Sequence, residues 1–128
     1  MDLLPIRDYI ASEKPFYETA HNLFVYSMPP QVNVGVLVVT EPSGAEVDHE
    51  IAGVYKNRFQ IIVRHSDYEA GQTMAIELFH LLNIRAQALG NYWFYYIRPR
   101  HLPIPYRRGE SDLMEFSINY DTHFADCV

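Results

Sequence analysis

Residues 59–85 read FQIIVRHSDYEAGQTMAIELFHLLNIR, a short run of alternating residues followed by a longer run with helical spacing. Phe59, Ile61 and Val63 fall on one face of a pleated strand, because successive side chains of a strand point to opposite sides. That face is fully apolar, so residues 59–65 predict a strand with one side in the core. We expect the remaining segments of the chain to pack around this strand and the helix that follows it.

A polar cap separates the strand from the helix. The side chain of Ser66 or Asp67 can accept hydrogen bonds from free amides of the first turn, and Glu69 suits the positive end of the helix dipole. Beyond the cap, large apolar residues recur at positions i, i+4, i+7 and i+8: Met74, Leu78, Leu81 and Leu82. This spacing predicts one long helix that lies on a sheet, with Gly90 and Asn91 marking its end.

The other predicted elements surround this unit. Residues 3–12 have apolar residues at helical spacing and a proline in the first turn, so they predict a short helix. Four further strands are expected from alternating or continuous apolar runs at residues 22–26, 32–40, 92–97 and 113–120. Together the elements predict an α+β fold, in which a mixed, mostly antiparallel five-stranded sheet is covered by the N-terminal helix and the long central helix.

Length and composition limit the domain organisation. The chain has 128 residues, of which 48% are hydrophobic, enough for one sizeable core and too few residues for two ordinary domains. We therefore expect a single domain over residues 1–128. The only cysteine, Cys127, cannot form an intramolecular disulfide, and no apolar run is long enough to cross a membrane. These features predict a protein of the reducing cytoplasm without membrane contact.

Charge is unevenly distributed along the chain. The net charge of −6 disfavours general affinity for nucleic-acid phosphates. The segment at about residues 41–58 is rich in chain breakers, and we interpret it as a projecting acidic loop. Its first half holds four carboxylates and no Lys or Arg: Glu41, Glu46, Asp48 and Glu50. The Pro-rich residues 98–108 hold four cations: Arg98, Arg100, Arg107 and Arg108. Opposite patches of this kind suit a head-to-tail contact between identical chains.

One group of residues has the composition of a catalytic triad. His65, Ser66 and Asp67 are adjacent in sequence, whereas a triad is defined by convergence in space, and helix capping explains Ser66 and Asp67 better. We therefore predict no catalytic residue and no enzymatic activity.

Metal, cofactor and nucleic-acid sites have similarly weak support. His80 with Glu77 offers half of a metal site without a second pair, and residues 48–50 more readily form a solvated loop than a cation site. Arginines near aromatic residues, as at residues 93–108, can bind a single strand of nucleic acid, but the excess of acidic residues disfavours this. The sequence therefore predicts no metal and no cofactor.

Three stretches resemble the tail terminator proteins of bacteriophages with long, non-contractile tails, also called tail completion or minor capsid proteins. They are the strand, cap and helix that begin at residues 59–68, the strand at residues 23–30 with its Met-Pro exit before a Val-rich strand, and FSINY at residues 116–120. Their order matches over nearly the whole chain. The family often has a Gly-Asp-type turn before the last strand, whereas residues 103–109 here read PIPYRRG.

The resemblance implies a structural virion protein at the head-proximal end of the tail, assembled in the host cytoplasm. Six copies would form a ring that caps the tail tube, stops its polymerisation and offers its other face to the head-tail connector or head completion protein. DNA would pass the channel without specific binding. In such a ring the four carboxylates of residues 41–50 are candidates for a loop facing the channel or the tube, and the four arginines of residues 98–108 for a patch between subunits.

Two alternatives stay open at this point. Another neck or tube subunit, such as a head-tail joining protein, would share the small size and the absence of an active-site pattern. A small nuclease or hydrolase would use His49, His65 and Asp67. A solution mass measurement combined with a metal-dependent DNA cleavage assay separates these classes.

Overall fold

The computed structural model describes residues 1–41, 44–107 and 113–126. In chain order the elements are helix α1 (Leu4–Glu13), strands β1 (Leu23–Val25), β2 (Gly35–Thr40), β3 (Glu46–Val47) and β4 (Val54–His65), helix α2 (Tyr68–Leu81), and strands β5 (Ile84–Leu89), β6 (Tyr92–Pro99), β7 (Ile104–Arg107) and β8 (Met114–Asp126). The sheet order is β1-β2-β4-β8-β6-β5, with β3 beside β4 and β7 beside β8. The α+β class is confirmed, although the described residues form an eight-stranded sheet instead of the expected five strands.

The centre of the sheet is the antiparallel β4–β8 pair, which runs from Val54 opposite Ala125 to His65 opposite Met114. On the side of the helices, three aligned pairs are buried: Phe59–Tyr120, Ile61–Ile118 and Val63–Phe116. Both helices contribute residues to the same core cluster. Among the strands in the described ranges, β1 and β2 are the only parallel pair, so the sheet is mixed and mostly antiparallel as expected.

Helix α2 begins and packs as its sequence predicts. The Asp67 carboxylate accepts a hydrogen bond from the Ala70 amide at 3.2 Å and caps the first turn. Leu78 is buried in α2, and Leu82 is buried just after it. The hydroxyl of Tyr120 donates to the carbonyl of Leu78 at 3.1 Å, which links the helix backbone to the middle of β8.

Gly71 brings the first turn of α2 against β8. A Cβ at this position would lie 2.6 Å from Cε1 of Phe116 and 2.9 Å from Cβ of His65. We expect Gly71→Ala to lower the free energy of unfolding by roughly 1–3 kcal/mol, because the helix must move away from the sheet. Chemical denaturation measures this change, with Gln72→Ala at the neighbouring exposed position as the control. Alanine is the better helix former, so a Gly71→Ala variant more stable than the wild type would contradict the close approach.

The central helix is shorter than its sequence predicts. It ends at Leu81, and the residues after it form β5, which pairs with β6 from Ile84 opposite Ile97 to Leu89 opposite Tyr92. Gly90, with a φ of +59°, and Asn91 form the turn between these two strands instead of ending the helix. Pairing with β6 therefore outweighs the helix propensity of residues 85–89.

The predicted acidic loop is partly strand, and the last strand is longer than predicted. Residues 41–58 are not a single loop, because Glu46–Val47 form β3 opposite Lys56 and Tyr55, and β4 already begins at Val54. The first part of β4 in turn pairs with residues 121–125, beyond the strand expected at residues 113–120, so β8 continues to Asp126.

The Pro-rich connection also contains a strand. Residues 104–107 form β7, which pairs among the described residues with β8 alone. An edge strand tolerates a proline such as Pro105, since only one side of it needs ladder donors. No helix within the described ranges is long and apolar enough to cross a membrane.

Candidate interaction surfaces

The outer face of the sheet, opposite the helices, brings the predicted acidic and basic segments together in one copy. Arg100 lies 3.8 Å from Glu41 (Nη1 to Oε1) and 3.7 Å from Asp121 (Nε to Oδ1). Asp121 also forms an ion pair with Arg58, with 3.2 Å between Nε of Arg58 and Oδ1 of Asp121. Glu41 and Arg100 were expected in two separate patches, and the structure makes them partners. Such half-exposed ion pairs contribute little to stability. They nevertheless mean that these side chains already have partners of opposite charge within one copy.

The other arginines of the predicted basic patch are spread out. The guanidinium of Arg98 stacks over the ring of Tyr96, with 4.3 Å between its Cζ and the ring centroid. Arg107 is exposed at the end of β7. Arg108 lies outside the described residues. Among the described members of this set, Arg98 and Arg107 therefore present cations that do not pair with Glu41 or Asp121.

The acidic segment ends in a fixed turn between β3 and β4. Asp48 Oδ1 accepts hydrogen bonds from the amides of Glu50 at 2.9 Å and Ile51 at 3.2 Å. These two hydrogen bonds, with smaller contributions from the charges of Lys56 and His123, hold the pKa of Asp48 below its ordinary value. The Asp48 amide also donates to the Val54 carbonyl at 2.9 Å, which closes the turn.

We call the exposed tip of this turn the knob, defined as Val47, Glu50 and Ile51. Val47 and Ile51 keep 58% and 55% of their surface exposed, and Glu50 is exposed between them in sequence. Glu46 is exposed as well and lines a cleft of about 290 Å³ that reaches Lys56, Arg58 and Arg98. The knob thus combines two apolar side chains with a carboxylate that has no cation partner among the described residues.

A second concave surface lies at the β5–β6 edge of the sheet, and we call it the socket. It is a cavity of about 300 Å³ lined by Asn83, Ile84, Arg85, Tyr95, Tyr96 and Arg98. Sequence reasoning missed Arg85, because it assigned this residue to the end of the helix. No local signal identifies it, since its place in the socket depends on the pairing of β5 with β6.

A buried charge network fastens the turn before β2 to the sheet. Arg64 Nε lies 3.0 Å from Oε2 of Glu115, and Arg64 Nη1 donates to the carbonyls of Pro29 at 2.9 Å and Val32 at 3.2 Å. Partial burial, and then the charge of Glu115, raise the pKa of Tyr106 to about 12, although 40% of its surface stays exposed. The network joins β4, β7, β8 and residues 29–32, which is a structural role.

Of the residues considered for chemistry, His65 and Asp67 have structural roles. The Asp67 amide donates to Nδ1 of His65 at 2.9 Å, and Asp67 caps α2, so both belong to the junction of strand and helix. His49 is exposed, and Glu77 and His80 are exposed on α2. In the described part of the chain, no group of three or more His, Cys, Asp or Glu side chains could hold a metal ion.

Comparisons with known proteins identify the family. The family model of the bacteriophage tail terminator protein matches residues 7–126. A chain of the virion of a native gene transfer agent particle has a similar fold, with a TM-score of 0.64 and 13% identity over 80% of this chain and 78% of that chain. A further solved structure aligns with a TM-score of 0.50 and 18% identity over 94% and 89% of the two chains. No curated protein matches this chain.

The family match runs from the middle of α1 to the end of β8 and therefore includes the whole sheet and α2. It confirms the expectation of a structural virion protein of the phage tail and not an enzyme. The chain belongs to the bacteriophage tail terminator family.

Proposed function

We propose that six copies of this protein close the head-proximal end of a tail tube as a ring, stop the polymerisation of the tube and offer the opposite face to the head-tail connector or head completion protein. The match of the tail terminator family over residues 7–126 carries this proposal. The shared fold with a chain of a gene transfer agent virion is consistent with it.

The surface of the protein supports assembly with protein partners. Large side chains are exposed along β6, β7 and the connection between them: Trp93, Tyr95, Leu102, Ile104 and Tyr106. Aromatic residues and arginines are enriched in protein interfaces relative to the rest of a protein surface. Contacts with the tube protein and with other copies would cover this strip.

The charge of the chain supports a passive role toward DNA. A net charge of −6 gives phosphates no general attraction to the ring, so DNA can pass without specific binding. The placement of the acidic residues on the channel wall stays a prediction from the sequence.

A tube-growth assay tests the proposal. Adding the folded protein to growing tail tubes is expected to fix their length within the assay time, because a ring on the growing end blocks further subunits. Negative-stain electron microscopy measures the length distribution, with heat-unfolded protein as the control. Tubes that continue to elongate with the protein bound would refute a terminating role, and binding to heads without binding to tubes would indicate another neck protein.

A further inference from the structure

We propose that the knob of one copy docks into the socket of a second copy, with the Glu50 carboxylate entering the cavity that Arg85 and Arg98 line. Val47 and Ile51 then pack on the exposed aromatic side chains beside that cavity. The biological setting of this contact rests on the proposed function, since it is the contact that joins neighbours in the ring.

The charges that define the contact are those left free within a copy. Arg85 has no carboxylate partner among the described residues, and Arg98 stacks on Tyr96 without a carboxylate partner in that same set. Stacking covers one face of the Arg98 guanidinium and leaves its edge N–H groups available to a carboxylate. Arg100 differs because Glu41 and Asp121 already neutralise it. The complement of the acidic knob is therefore Arg85 with Arg98.

The two surfaces lie at opposite edges of the same sheet. One row of aligned residues crosses β3, β4, β8, β6 and β5 in the order Glu46, Lys56, His123, Tyr96 and Arg85. Four strand spacings separate its ends by about 19 Å. Tyr96 and Arg98 also line the cleft beside Glu46, yet among the described residues no ion pair joins Glu50 to Arg85 or Arg98 of the same copy. A neighbouring copy can supply the Glu50 carboxylate, and joining two different patches of identical chains gives a heterologous contact that can close into a ring.

Both surfaces are suited to binding before they meet. The hydrogen bonds of Asp48 fix the turn that carries the knob, so little conformational entropy is lost when it docks. The socket is lined by Arg and Tyr side chains, which are enriched among the residues that dominate interface energies, and Tyr95 is 45% exposed. An apolar and acidic knob complements this surface in both charge and polarity.

A single strand of nucleic acid is the other occupant that cations and aromatic rings could attract. The structure favours a second copy, because Arg58 and Arg100 on the outer face are paired with carboxylates. Lys56 is then the one further unpaired cation in the described cleft beside Arg98, too few for a phosphate track. The proposal also places Glu50 between copies and not on the channel wall.

Substitutions that reverse the charges of the knob and the socket test the contact. Glu50→Arg and Arg85→Glu are each expected to raise the protein concentration for half-maximal self-association by roughly tenfold or more, since each places like charges together. The double variant is expected to return to within about threefold of the wild type, because the pair is restored in reverse. Sedimentation velocity measures self-association in solution and on short tail tubes. Glu13→Arg, at the exposed C-terminal end of α1, is the matched control and should leave association unchanged.

Each other outcome overturns the contact in a recognisable way. Single variants that associate like the wild type, or a double variant without recovery, exclude the pairing of Glu50 with Arg85. A wild type that stays monomeric in solution and on tubes excludes both this contact and the ring. Binding of a labelled oligo-dT that is lost in Arg85→Glu, with self-association unchanged, assigns the socket to nucleic acid. If the double variant recovers self-association but the protein does not stop tube growth, the contact holds and the proposed function is refuted. If the protein stops tube growth but its rings are insensitive to the substitutions, the proposed function holds and the contact is refuted.

Discussion

Replacing Glu115 with alanine is expected to lower the free energy of unfolding by about 3–5 kcal/mol. The variant leaves Arg64, which is 5% exposed, in the interior without the carboxylate that lies 3.0 Å from its Nε. Arg64 cannot escape to solvent without giving up its hydrogen bonds to the carbonyls of Pro29 and Val32. Loss of one partner of a buried pair therefore affects the turn before β2 as well as the β4–β8 ladder. Urea denaturation measures the loss.

Two controls separate the buried charge from lost packing. The double variant Arg64→Met, Glu115→Leu removes both charges while keeping similar volumes, and it should be more stable than Glu115→Ala. Glu13→Ala removes an exposed carboxylate and should change stability by less than about 0.5 kcal/mol. A Glu115→Ala variant as stable as Glu13→Ala would show that the Arg64–Glu115 pair is not buried as described.

Leu78→Ala is expected to destabilise the protein by roughly 2–5 kcal/mol, because it leaves a cavity where α2 meets the sheet. Leu78 is 1% exposed and belongs to the core cluster with Ile61 and Val63. The hydrogen bond from the Tyr120 hydroxyl goes to the backbone carbonyl of residue 78, so the substitution retains it and the loss reports packing.

The matched control for this helix is Gln72→Ala on its exposed face, measured by thermal unfolding under the same conditions. An unfolding temperature for Leu78→Ala that shifts no more than that of Gln72→Ala would mean that the buried face of α2 is misassigned.

The parts of the fold that the sequence predicts are those where local pattern and tertiary contact agree. Residues 59–65 alternate, Asp67 caps a helix, and Leu78 and Leu82 repeat on one face, and the structure confirms each of these features. Local periodicity decides them because one side of each element faces the core.

The parts that the sequence does not predict depend on pairing between distant residues. Residues 84–89 read IRAQAL and favour a helix, but they pair with β6, with Ala86 at a φ of +51° in the strand. Residues 54–58 and 121–125 carry no strong pattern, and each becomes a strand because the other lies beside it. β3 has only two residues, too few for any periodicity to be visible.

The partners of the predicted interaction residues likewise depend on contacts between distant parts of the chain. The sequence identifies the acidic and basic segments, but which of their charges pair depends on what lies beside them in the sheet. Arg100 meets Glu41 across the outer face, whereas Arg85 enters a cavity that exists only because β5 is a strand. A linear sequence gives no measure of which charges remain free once the sheet has formed.

Electron cryomicroscopy of tails assembled with this protein locates its copies on the tube. We expect one ring of six copies at the head-proximal end of each tube, with no copies along the shaft. Copies distributed along the tube, a ring at the distal end, or tails of normal length that lack the protein would contradict it.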